Sequence, residues 1–256
     1  MIKENLAALE ILDELANSPE FNYEELTLCK NNKMIVTPNL DHLRLLTKNP
    51  HLRSQYAQAD IYLPDGQPVV LLLRFLYKNF SRKISRITGV DTTELVLQKA
   101  KEVFVVGSSE DVIGKILIKY TRQELASLKI ESYLDQISES ELEQVANQLW
   151  PILNLSAARH VLICLGFPKQ EKLALILRDY RYRVPKIFYC VGGSLDMLSG
   201  EFRRAPFIFQ KFGGEWVWRL CLDFNRLYPR YRSDLIFFVK FVFSLLLKWI
   251  TKGKVR

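Results

Sequence analysis

Short apolar runs separated by helix-length amphipathic stretches constrain this chain more than any other feature. The runs fall at residues 33–36, 61–63, 103–106, 129–133, 160–165 and 186–191. The stretches between them include 40–57, 111–125, 139–155 and 169–182. Most of the runs are continuously apolar rather than alternating, which is the pattern of strands covered on both faces. Strand and helix patterns taken in turn predict an α/β fold with a mostly parallel sheet and helices on both sides. There is no internal repeat and no low-complexity linker.

Several of these runs end in glycine. Residues 103–106 lead into Gly107-Ser108-Ser109, 160–165 into Gly166, and 186–191 into Gly192-Gly193. Ligands of open α/β sheets bind beyond the carboxyl ends of the strands, where glycine allows close approach. Gly107, Ser108, Gly166, Gly192 and Gly193 are therefore candidates for a nucleotide pocket, although glycine at such a turn also has a purely conformational use. The GxGxxG and Walker fingerprints are both absent.

Charge divides the chain unevenly. The net charge is +8, from 36 Lys and Arg against 28 Asp and Glu. From Glu201 onward there are 12 basic and 4 acidic residues, so the first 200 carry 24 of each. The whole excess sits in the last quarter. Between Arg203 and Arg232 arginine prevails and Lys211 is the single lysine, a preference suited to bidentate phosphate contacts. The run 235–250 (LIFFVKFVFSLLLKWI) follows, with Lys252, Lys254 and Arg256 beyond it. It is shorter than the ~20 residues that span a bilayer. An interfacial helix on an anionic membrane is the expectation, and a helix buried in the core or in a subunit contact is the alternative. A nucleic-acid partner would call for base-reading side chains on this basic surface, yet it turns apolar. The domain division expected is 1–200 for the sheet domain and 201–256 for a basic, apolar-ended appendage.

Cys29, Cys164, Cys190 and Cys221 form no CxxC pair, and no His/Cys/Asp cluster or DxD triplet is present, so neither a disulfide framework nor a metal site is expected. The charged, helical N-terminus MIKENLAALEILDEL is unlike a signal peptide, and predicts a cytoplasmic protein.

Three local motifs are candidates for chemistry. Leu63-Pro64-Asp65-Gly66 follows a strand; turn chemistry alone explains it, but a carboxylate on a rigid turn at the sheet edge could also serve as a general base. Thr37-Pro38-Asn39 precedes a helix that Asn39 can cap, with the hydroxyl and amide also at the ligand edge. In Gly166-Phe167-Pro168-Lys169-Gln170-Glu171, Lys169 and Gln170 occupy a helix first turn that ordinarily favours acids, which suits an anionic or sugar ligand just beyond.

These motifs occur in a fixed order with Arg86, Gly89 and Asp91, then Gly192-Gly193, Asp196, Gly200, Arg204-Ala205-Pro206, Glu215-Trp216, Arg219-Leu220, Arg226-Leu227 and Arg230-Tyr231. The ensemble, from about residue 30 to 232, resembles the WecG/TagA/CpsF family of glycosyltransferases. The resemblance implies a Rossmann-like core and a basic appendage that meets the cytoplasmic face of the membrane. It implies inverting transfer of N-acetylmannosamine, N-acetylmannosaminuronic acid or glucose from a UDP donor to a sugar on undecaprenyl diphosphate, with no metal and no other cofactor. It makes Asp65 the general base, and gives Thr37, Asn39 and Gln170 to the sugars, with Arg86 nearby and Asp196 a further substrate-binding candidate. Arg219, Arg226 and Arg230 fall to the lipid diphosphate. Ser85, the basic segment 76–83 and the Leu195-Asp196-Met197 triplet depart from the family pattern and leave the donor sugar open. A homo-oligomer and a catalytically silent scaffold of a polysaccharide assembly stay open as alternatives.

Overall fold

A computed structural model describes residues 2–77, 84–121, 129–133, 139–200, 206 and 214–253. Arg203, Arg204 and Lys211, residues 122–125, most of segment 76–83, Lys254, Arg256 and the side chain of Arg226 lie outside the described residues.

Six strands form one sheet: β1 (Lys33–Val36), β2 (Ile61–Tyr62), β3 (Glu102–Val106), β4 (Lys129–Tyr133), β5 (His160–Ile163) and β6 (Ile187–Cys190). Their order is β2-β1-β6-β5-β3-β4, and every pairing is parallel. The fold is Rossmann-like, as expected. The helices are α1 (Ile2–Asn17), α2 (Tyr23–Leu28), α3 (Leu40–Lys48), α4 (Pro50–Tyr56), α5 (Gln67–Leu76), α6 (Gly89–Lys99), α7 (Glu110–Thr121), α8 (Leu142–Leu155), α9 (Lys169–Arg178) and α10 (Ser194–Ser199). A short helix, Glu215–Leu222, and a long terminal helix, Phe224–Gly253, complete the described chain. The stretch 40–57 is thus two helices, because Pro50 cannot continue α3 and Asn49 instead caps α4.

Alternate strand residues feed two cores. Met34, Val36, Phe104, Val106, Phe188 and Cys190 pack on one face with α1, α3, α5, α8 and α9. Ile35, Val103, Val105, Leu162, Ile187 and Tyr189 pack on the other with α6, α7 and α10. Strands buried on both faces account for the continuous apolar runs.

The terminal helix belongs partly to the first core. Phe241 is 1% exposed within it, Phe237, Phe238, Val242 and Leu245 pack alongside, and Asn5 Nδ2 donates to Ser244 Oγ at 2.8 Å. Its opposite stripe, including Leu235, Ile236, Val239, Phe243, Leu246 and Leu247, is exposed. The apolar run is therefore neither wholly core nor wholly surface. No helix among the described residues is long and apolar enough to cross a membrane.

Candidate active site

Parallel pairing brings the carboxyl ends of the strands to one edge, and a cavity of about 580 Å³ opens there. Thr37 and Asn39 line it from the end of β1, Asp65 from β2, Gly166 and Gln170 from β5 and α9, and Gly192, Gly193 and Asp196 from β6 and α10. Arg219 and Arg230 line it from the two C-terminal helices. Positions as distant in sequence as Thr37 and Arg230 thereby share one chamber.

Backbone and buried hydrogen bonds hold the sheet-side wall. Thr37 Oγ1 donates to the Cys190 carbonyl at 3.0 Å, tying β1 to β6. Asn39 caps α3, its side-chain oxygen accepting the His42 amide at 3.2 Å. The turn bearing Asp65 is held on both sides: the Asp65 amide donates to Pro38 O at 2.9 Å, and the Ile87 amide to Pro64 O at 3.1 Å. Thr88 and Asp91 form a capping box that starts α6. A Cβ on Gly89 would lie 2.8 Å from Ser194 Oγ and 3.1 Å from the Val191 carbonyl, so α6 reaches the β6 turn only with glycine there. Gln170, 3% exposed, accepts the Gly192 amide through Oε1 at 2.8 Å.

Ion pairs hold the opposite wall. Arg230 Nε lies 3.1 Å from Asp41 Oδ2 and 4.0 Å from Asp234 Oδ2. Arg44 donates to Asp234 at 2.7 Å and also pairs with Asp41. Two acid–base pairs, one turn apart on α3 and on the terminal helix, thus close a four-charge ring at the cavity lip. Arg219 Nη2 lies 3.1 Å from Met197 Sδ and is exposed.

Several predicted residues stand elsewhere. Arg86, Gly107, Ser108 and Lys169 are not among those lining the cavity. For Gly107 the reason is topological: β3 lies beyond β5, away from β6. Its φ of 81° and a Cβ that would come within 2.3 Å of Leu165 Cδ2 explain the glycine without a ligand. The backbone of Arg226 lies in the terminal helix.

Other residues join the chamber without a sequence signal that singles them out, among them Asp41, His42, Thr88, Trp218 and Asp223. Position alone could have found Asp41 and His42, which follow Thr37-Pro38-Asn39 in the first turn of a helix at a strand end. His42 stacks on Phe167 with ring centroids 4.1 Å apart. Burial, with Arg230 adding to it, drives its pKa down to about 3, so the ring enters the cavity wall neutral. Among the described residues no group of three or more His, Cys, Asp or Glu could hold a metal ion.

The cavity combines Asp65 on a held turn, the further carboxylates of Asp41, Asp196 and Asp223, neutral hydrogen-bonding groups and two arginines, of which Arg230 pairs with Asp41. That set suits deprotonation of a hydroxyl beside a phosphorylated substrate. Comparison with known proteins gives the chemistry a family. The chain is 32% identical over 206 residues to the N-acetylglucosaminyldiphosphoundecaprenol N-acetyl-beta-D-mannosaminyltransferase of Bacillus spizizenii, covering 78% of this chain and 76% of that protein. The Glycosyl transferase WecG/TagA/CpsF family matches residues 15–254. The chain belongs to that family of glycosyltransferases.

Proposed function

We propose that the protein transfers a sugar of the N-acetylmannosamine, N-acetylmannosaminuronic acid or glucose type from a UDP donor to a sugar carried on undecaprenyl diphosphate, with inversion, in cell-surface polysaccharide synthesis. The observation that carries this reading is the single cavity that Asp65 shares with Thr37, Asn39, Gln170, Arg219 and Arg230. Asp65 takes the proton of the acceptor hydroxyl as its oxygen attacks the anomeric carbon. The bond from that carbon to the UDP oxygen breaks, and the diphosphate leaves with the electron pair. A positioned base contributes ~10²–10⁴-fold to such a step. Thr37, Asn39 and Gln170 hold the sugars, Gly166, Gly192, Gly193 and Asp196 add to substrate binding from the same cavity, and Arg86 and Lys169 assist in donor binding. Arg219, Arg226 and Arg230 grip the lipid diphosphate, for which guanidinium geometry is suited. The reaction runs without a metal or other cofactor.

Residues 201–256 act as the membrane-binding appendage, seating the protein peripherally at the cytoplasmic face. Supporting this is the exposed stripe of Leu235, Val239, Phe243 and Leu246 with Lys240 beside it, an apolar face on a basic segment. A second copy of the chain could cover the same stripe, whereas nucleic acid is not a partner.

The test is Asp65→Asn, which preserves shape and turn but cannot accept a proton at neutral pH. Turnover with a UDP-sugar panel and a short-chain lipid diphosphate acceptor falls by ~10²-fold or more while donor binding is little changed. Wild-type turnover would remove Asp65 from the mechanism.

A further inference from the structure

Glu171 is the third residue of α9, beside a cavity it does not line, and it is 3% exposed. Its Oε1 accepts a hydrogen bond from Gln170 Nε2 at 2.8 Å, while its Oε2 is buried with no hydrogen-bond partner. Gln170 is held from its other end, where Oε1 accepts the Gly192 amide at 2.8 Å. Surrounding apolar groups include Cys190 and the ring of Tyr56, both fully buried.

A carboxyl with one oxygen unmet is a poor choice for a core. Leaving a buried acceptor unpaired costs about 1–3 kcal/mol, and well-packed apolar replacements of buried charged groups are often neutral or stabilising. Burial raises the Glu171 pKa to about 7, the same penalty seen from the proton's side. Local rules broken at a stability cost cluster at functional sites.

The use is visible in the amide it touches. An amide is nearly symmetric in shape but not in hydrogen bonding. Were Gln170 flipped, its NH2 would face the Gly192 N–H, and its oxygen would face the Glu171 carboxyl oxygen. Both contacts would be repulsive.

We propose that Glu171 is a positioning residue: its carboxyl locks the Gln170 amide in one orientation and so sets the hydrogen-bond pattern that the cavity offers the transferred sugar. One Nε2 hydrogen and one Oε1 lone pair are committed to the lock, which leaves one donor and one acceptor in fixed places. This rests on reading the cavity as the sugar site.

The experiment measures donor KM, kcat and melting temperature for full-length Glu171→Leu, Glu171→Gln and Gln170→Ala. Glu171→Leu is expected to melt at or above the wild-type temperature. Its donor KM rises ~10-fold, with kcat affected less, the scale of one misplaced hydrogen bond. Glu171→Gln retains a carbonyl acceptor of the same shape and is expected to return donor KM to within ~3-fold of wild type. A wild-type KM in Glu171→Leu overturns the proposal, as does a fall in melting temperature with KM unchanged, the mark of a purely structural residue. Should Glu171→Leu fail to fold, Glu171→Met is measured in its place, and failure of both makes the residue structural and ends the proposal. Gln170→Ala separates the two levels. If it leaves donor KM unchanged, the sugar-site reading itself fails. If it raises KM while Glu171→Leu does not, only the lock fails.

Discussion

The two walls of the cavity are built differently. On the sheet side, Thr37 and Gln170 are fastened by hydrogen bonds to backbone groups at the end of β6, and Asn39 by the amide of the helix it caps. On the helix side, Arg230 and Arg44 meet Asp41 and Asp234 in a ring of ion pairs, and below it an apolar stripe centred on Phe241 secures the helix. Buried hydrogen bonds to fixed backbone hold one geometry; in the ring Arg44, Asp41 and Asp234 are largely buried too, and Arg230, its side chain 40% exposed, is the member that salt screens and a competing anion can draw away. The contrast suits the roles proposed: a rigid wall for the reacting sugars, and an adaptable one for a lipid diphosphate arriving from a membrane.

The largest expected effect tests whether the terminal helix is docked at all. Phe241→Ala opens a cavity beneath it, and denaturant unfolding should show a loss of about 3–5 kcal/mol. A change well under 1 kcal/mol would mean that the helix wall is not seated on the sheet domain.

A second test reads the rigid wall through Glu171, whose pKa is raised to about 7 from 4.5. The folded state then holds its proton more tightly than the unfolded one, so this group's contribution is full below pH 4.5 and lost as pH rises to 7. His42 and His160, lowered by burial to about 3 and about 4, act oppositely and withdraw stability as pH falls below 6.5. Urea midpoints of wild type and Glu171→Leu across pH 4.5 to 7.5 isolate the carboxyl. The variant should gain on the order of 3 kcal/mol relative to wild type over that window, and parallel curves would show that Glu171 does not titrate there.

The adaptable wall is tested by replacing Arg219, Arg226 and Arg230 together with alanine. The expected loss in kcat/KM for the acceptor is ~10-fold or more, with a weaker salt dependence than wild type. An effect on donor KM alone would assign these arginines to UDP instead. The smallest effect belongs to the outer stripe: Lys240→Glu should weaken binding to anionic vesicles by ~5–10-fold with melting unchanged, since each basic residue near such a surface is worth ~1 kcal/mol. Unchanged sedimentation would leave a second copy of the chain as the better occupant of the exposed stripe.

Sequence alone determined what depends on near neighbours. Continuous apolar runs marked the buried strands, since a strand covered on both faces has no polar positions to alternate. Pro64-Asp65-Gly66 and Thr37-Pro38-Asn39 announced turns at strand ends because their φ/ψ and capping preferences are local. The charge count separated the last 56 residues from the rest. The resemblance of ordered motifs carried the family.

Tertiary structure decided the rest. Strand order is not written in any one segment: β6 between β1 and β5 brings Gly192 to Gln170 and Cys190 to Thr37, and β3 beyond β5 leaves Gly107 and Ser108 off the cavity. The two-residue β2 and the start of α5 carry too few residues for periodicity to fix their bounds. Asp41 and His42 line the chamber from α3, Trp218 from the short helix and Asp223 from its junction with the terminal helix, brought together by the packing of both helices against that terminal helix. The 235–250 run reads as apolar apart from Lys240, Ser244 and Lys248, yet Phe241 is core and Phe243 is surface. Two positions along a helix turn through ~200°, and only a partner helix tells one face from the other.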